Sequence, residues 1–300
     1  MQLFKVMTLS LLVTIGLNVH AGEVKTSLNG LTLNGDLVMA DGKNLKDGIV
    51  LFTHGTWMHN NYSTATMLKN NLPYIGVNIL AINLSLGKND RHDQAMISCE
   101  QSHTHKHTDA IKEIDAWVKW LKKQGATAIT IAGHSRGGNQ AAWYAAEYNN
   151  ESAIKNVVLL APQLWSAQEE VDTYQKKYHK DLKPLLAKAQ KLVNSGKGNT
   201  LMQHTDLLYC KDSNVTAASF ADYYQVNPKM DTLHLLPKIQ KPVLIFSATE
   251  DTVVKGLPEN LQPITDKHSN IEGYEIQDSD HSFLDFAGEE VSEKIKQFIQ

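Results

Sequence analysis

The chain has 300 residues, of which 42% are hydrophobic and 20% charged. This is ordinary globular usage, enough for one large α/β domain with an insertion or for two small domains, and it excludes a disordered chain. The formal net charge is -3 without a broad basic face, which argues against nucleic acid as a partner.

The N-terminus reads as a leader. Lys5 supplies a short positive region, and Val6 to Val19 forms an apolar stretch of about 14 residues. That is short of the roughly 20 residues needed to cross a bilayer. Val19-His20-Ala21 offers small residues at the outer and inner cleavage positions, so the expected signal peptide is 1–21 and the mature chain is 22–300. The sequence therefore predicts a secreted or periplasmic protein with no stable membrane anchor after cleavage.

In chain order, Val24 to Met39 reads as a β-hairpin with Asn34-Gly35 as its turn. Gly48 to Thr53 is a continuous apolar run, expected of a strand buried on both faces. His54-Gly55-Thr56-Trp57 follows it, and Ser63 is a candidate N-cap for a helix reaching about Asn71. Val77 to Asn83 is the next strand. Residues 84–108 form a long polar loop. Ile111, Ile114, Val118 and Leu121 then recur at helical spacing up to Gly125. Ala128 to Ala132 is a further strand, and an Ala-rich helix runs from the glycines after it to about Tyr148. Val157 to Leu160 is the sixth strand. Residues 165–236 change character: they are rich in Lys, Gln and Tyr and read as helices broken near Pro184 and Gly196. Strand patterning resumes at Val243 to Ser247 and at Tyr274 to Gln277. A last amphipathic helix carries Val291, Ile295 and Phe298. Strands alternating with helices predict an α/β fold whose mostly parallel sheet is covered on both sides.

Gly133-His134-Ser135-Arg136-Gly137 fits the G-x-S-x-G pattern. A β-branched strand enters it and a helix leaves it, the context a nucleophile elbow requires. Ser135 must then occupy a strained backbone conformation. Side chains at Gly133 and Gly137 would collide with neighbouring elements, so both are glycine. The N-terminus of the helix beneath Ser135 points free N–H groups at developing negative charge.

With these motifs the chain resembles the α/β-hydrolase superfamily over nearly all of its mature length. The resemblance implies an α/β-hydrolase fold, with residues 165–236 as a helical lid, and the chain order nucleophile, acid, base. Asp251, after the strand VLIFS, stands where the acid is expected, with Glu250 as the neighbouring alternative. His281, just after the last strand, stands at the position of the base. Ser135 would attack an acyl carbon while His281 takes its proton and Asp251 orients the imidazole. The expected oxyanion donors are the backbone N–H groups of Arg136 and, by resemblance to the HG-x loop, Thr56. Trp57 is the alternative donor if the register slips, and Trp57 and His134 are candidate pocket residues. The expected substrate is a small-molecule carboxylic ester, and the mechanism requires no cofactor. A peptidase, thioesterase or acyltransferase would use the same three residues.

His103-Thr104-His105-Lys106-His107 is a further motif. If extended, its three alternate histidines share one face and could ligate a metal in a non-catalytic binding protein. The other reading is a polar loop bonded to the next helix or lining the pocket. Cys99 lies in the same loop and Cys210 in the insertion. An exported pair can form a disulfide closing roughly 110 residues; two unlinked thiols are the alternative.

Overall fold

The computed structural model describes residues 21–300. The signal-peptide reading of 1–21 lies almost entirely outside the described residues. The elements are β1 (Ala21–Leu28), β2 (Leu31–Val38), β3 (Ile49–Thr53), α1 (Ser63–Tyr74), β4 (Ile79–Asn83), α2 (Asp109–Lys123), β5 (Ile129–His134), α3 (Arg136–Glu147) and β6 (Ile154–Leu160). The insertion contributes α4 (Ala167–Tyr178), α5 (Leu182–Asn194), β7 (Leu201–Leu207), β8 (Cys210–Thr216), α6 (Ala217–Tyr224) and the single turn α7 (Thr232–Leu235). The chain ends with β9 (Val243–Ala248), α8 (Leu257–Thr265), β10 (Ile271–Ile276) and α9 (Phe286–Ile299).

Eight strands form one sheet in the order β1-β2-β4-β3-β5-β6-β9-β10. The β1–β2 and β2–β4 pairs are antiparallel and the rest are parallel. The continuous apolar strands have both faces covered, as a parallel sheet requires. Leu51, Leu80, Ile131, Leu159 and Ile245 pack on one side with α2 and α3. Val50, Phe52, Ile79, Val158 and Phe246 pack on the other with α1 and α9. Helix α2 shows the cause at the level of one element. Its predicted stripe of Ile111, Ile114, Val118 and Leu121 is buried together with Trp117. Each such side chain contributes about 1.5–3 kcal/mol relative to an exposed one.

Four expectations are corrected. The hairpin turn is Asn29-Gly30, both at positive φ, closing a two-residue loop between the paired Leu28 and Leu31. Asn34-Gly35 lies inside β2, where a Cβ on Gly35 would stand 3.1 Å from the Ala81 carbonyl oxygen of β4. Ser63 is the first residue of α1 rather than its cap; Tyr62 occupies the cap position without a side-chain hydrogen bond. The insertion is not all-helical, since β7 and β8 form an antiparallel hairpin. Pro184 does not break a helix: it sits in the first turn of α5, capped by the Asp181 carboxylate on the Lys183 N–H, where its missing N–H is no loss.

The hairpin ties the insertion to the body. Cys210 at the start of β8 is disulfide-bonded to Cys99. The His103 N–H donates to Asn214, and the Thr216 N–H donates back to His103. Thr108, just before α2, donates from its backbone and its hydroxyl to Asp222 of α6.

Candidate active site

Strand β5 runs straight into Ser135 and α3 starts at the next residue. Ser135 has φ 56 and ψ -123, a conformation costing a non-glycine residue roughly 1–3 kcal/mol. Backbone bonds hold it there: its N–H donates to Leu160, and its carbonyl accepts from Gly138 and Gln163. A Cβ at Gly133 would lie 2.2 Å from the Gly137 oxygen, and one at Gly137 would lie 2.3 Å from the His54 oxygen. Both positions therefore exclude any side chain. Gly138 is constrained as well, by Pro162 at 2.9 Å.

The loop after β9 carries Asp251, whose side chain is only 3% exposed. Its Oδ1 accepts from the Val253 and Val254 N–H groups at 2.7 and 2.9 Å, and its Oδ2 accepts from His281 Nδ1 at 2.8 Å. Burial alone would raise this carboxyl, but the His281 hydrogen bond and the two amides hold it below its ordinary value. Glu250 is exposed and faces a separate groove beside Asp278 and Asp280. The structure thus brings Asp251, and not Glu250, to His281.

Ser135 and His281 line one cavity of about 380 Å³ with Gly55, Thr56, Met58, Tyr62, His134 and Tyr209. The loop after β3 frames its floor. His54 Nδ1–H donates to the Gly55 carbonyl and His54 Nε2 accepts from Leu84 N–H, so both ring nitrogens brace the backbone. Burial pushes His54 down to about 3. Thr56 lies in the cavity wall, and its Oγ1 accepts from Arg136 Nε. As the first residue of α3, Arg136 has a backbone N–H with no intrahelical acceptor.

Of the two candidate pocket residues, His134 lines the cavity and Trp57 does not. At φ 58, Trp57 turns its indole into the protein, stacks on His103 at 4.8 Å and donates to the Tyr223 hydroxyl. His134 is bonded at both nitrogens. The carbonyl of His281 can only accept, so His134 Nε2 carries the proton and donates to it at 2.7 Å. His134 Nδ1 then accepts from the Tyr62 hydroxyl at 2.8 Å. Burial pushes His134 down to about 3, and it is neutral. Tyr62 escapes sequence reasoning because nothing in its local pattern marks it; only the fold brings it across 72 residues.

The ring nitrogens of the three loop histidines do not converge on one point. Among the described residues, the one cluster of three side chains close enough to share an ion is Glu23, Asp90 and His92. His107 is committed elsewhere: Nδ1 accepts from Arg136 Nη1, Nε2–H donates to Asn139, and the neighbouring guanidinium repels a cation. His103 and His105 are buried beside Trp57 and Tyr223. Burial lowers them to about 4 and about 3, so both are neutral.

A family model described as the alpha/beta hydrolase fold matches residues 90–287. The chain belongs to the α/β-hydrolase family. No curated protein matches this α/β-hydrolase chain. Among solved structures, it resembles Est1E of Butyrivibrio proteoclasticus bound to ferulic acid. That match has a TM-score of 0.65 and 20% identity, over 92% of this chain and 99% of that one. It also resembles an esterase of Pyrococcus furiosus, with a TM-score of 0.61 and 17% identity over 94% and 91% of the two chains. The α/β hydrolase GrgF of a Penicillium species matches at a TM-score of 0.65 and 14% identity, over 94% and 98%. At these identities the likeness is one of fold.

Proposed function

We propose that this protein is a serine carboxylesterase working outside the cytoplasm. The observation that carries this reading is one arrangement: a strained Ser135 and an Asp251-bound His281 line the same cavity. In the reaction, Ser135 Oγ bonds to the acyl carbon as its proton passes to His281. The carbonyl oxygen becomes an oxyanion beside the N–H groups of Arg136 and Thr56, and one such donor contributes about 2.7–4 kcal/mol. Collapse expels the alcohol, which takes the proton from His281. Water then repeats the sequence, releasing the acid and restoring Ser135. Asp251 keeps the proton on His281 Nδ1, so Nε2 is free to act as base. Esterases among the structural relatives support the choice of ester. The disulfide and the leader reading support an oxidising compartment. The insertion acts as a partial lid, since Tyr209 at the hairpin tip reaches the cavity wall.

The test is hydrolysis of short and medium p-nitrophenyl esters by the mature protein and by Ser135→Ala. Turnover should fall by roughly 10⁴-fold or more in the variant. Turnover that survives the substitution would remove Ser135 from the mechanism.

A further inference from the structure

The chain has two arginines, and the fold treats them differently. Arg91 is spent inside the protein: it pairs with Asp93 and donates to the carbonyls of Leu84 and Met58. Arg136 is only 8% exposed, yet no carboxylate lies within 4.0 Å of it among the described residues. Its Nε donates to Thr56, one Nη1–H donates to His107, and its plane lies 5.4 Å from the Tyr223 ring centre. His107 is held in turn by Asn139, which donates to the Lys229 carbonyl, so the guanidinium is fixed in place. Two of its five N–H donors are used in this way. A buried cation with no anion in contact is destabilising, and such a group in a cleft marks a candidate functional site.

The guanidinium faces a chamber of about 170 Å³ between body and insertion, room for about six waters at liquid density. Lys177, Tyr178 and Tyr224 line it, and Thr56 and Tyr209 are walls shared with the Ser135 cavity. Lys177 is tethered to the Leu208 carbonyl and lies over the Tyr209 ring at 5.0 Å. The chamber's one acid, Glu170, makes no ion pair with Arg136 within 4.0 Å; burial raises its carboxyl above the ordinary value, and the Arg136 charge opposes that rise only in part. The balance is cationic, and the chamber adjoins the Ser135 cavity across Thr56 and Tyr209.

We propose that this chamber is a carboxylate subsite, and that the substrates are esters carrying a free carboxylate on the acyl or alcohol part. The carboxylate occupies the guanidinium fork, which matches its two oxygens, while the ester carbonyl reaches Ser135. This inference rests on the esterase reading for its catalytic half only. The test uses two matched pairs: p-nitrophenyl hemiglutarate against p-nitrophenyl valerate, and 4-acetoxybenzoate against phenyl acetate. In at least one pair the wild type should prefer the anionic ester about tenfold or more in kcat/KM. That ratio should fall to about one in Arg136→Gln and stay intermediate in Arg136→Lys, which also serves should the Gln variant fail to fold. No preference in either pair, or a preference unchanged in both variants, would overturn the subsite. If neither pair is hydrolysed at all, the esterase reading fails and binding is read alone. Glutarate and benzoate would then be tested for raising the Tm of Ser135→Ala. A rise that vanishes on adding Arg136→Gln supports the subsite, and no rise overturns it.

Discussion

Single residues at this site act in pairs, and a bracket around His281 shows how. His134 holds the carbonyl of His281 with one nitrogen and is itself fixed by the Tyr62 hydroxyl at the other. Tyr62→Phe removes the hydroxyl that donates to His134 Nδ1 and leaves a buried nitrogen unpaired, which costs about 1–3 kcal/mol of stability. Because His281 then loses its fixed backbone position, kcat should fall by roughly 5–50-fold with KM little changed. Urea unfolding beside steady-state kinetics separates the two effects. A stability loss with full kcat would make the bracket structural only. Ser135, Asp251 and His281 were legible in the sequence because each is marked locally, by an elbow or by the residues following a strand. Tyr62 and the Arg136 side chain carry no such mark, because their contacts reach across the fold. Trp57 lies outside the cavity because its positive φ turns the indole inward, and that conformation leaves no trace in the sequence.

At the scale of elements, the β7–β8 hairpin fastens the insertion to the body. It is joined by the Cys99–Cys210 bond and by the His103 backbone pair. The bond closes a loop of 111 residues. In the chain-entropy account its loss costs about 2–5 kcal/mol. Cys99→Ser with Cys210→Ser should therefore lower the Tm by several degrees, and ester turnover should change because Tyr209 sits beside Cys210. A Tm equal to that of the wild type under oxidising conditions would contradict this. The parallel strands were readable from their continuous apolar runs. The hairpin was not, because Gln203, His204, Lys211 and Asp212 face water and give β7 and β8 the polar look of exposed helix. The same dipeptide occurs at Asn29-Gly30 and Asn34-Gly35, and only the packing of Gly35 on β4 decides which one turns.

For the whole molecule, buried histidines set the response to acid. His54, His105 and His134 titrate at about 3 and His103 at about 4, each lowered first by burial from an ordinary 6.5. The unfolded chain binds these protons below about pH 6.5 and the folded chain does not. Their contribution is thus complete above that pH and is lost as the pH falls from 6.5 toward 4. Each group wholly inside that window contributes a slope of about 1.4 kcal/mol per pH unit. Glu113 works the other way, its carboxyl raised to about 7 by burial, and offsets part of one histidine. Against a typical stability of about 5–15 kcal/mol, cooperative unfolding is expected between roughly pH 4 and 5.5. A urea midpoint that stays constant from pH 8 to 5 would contradict it. The central claim concerns Ser135, and covalent labelling tests it most directly. Native protein treated with a fluorophosphonate and mapped by peptide mass spectrometry should carry one adduct, on Ser135, and that adduct should be lost in His281→Ala. An adduct on another residue, or labelling that persists without His281, would contradict a Ser135 nucleophile activated by His281.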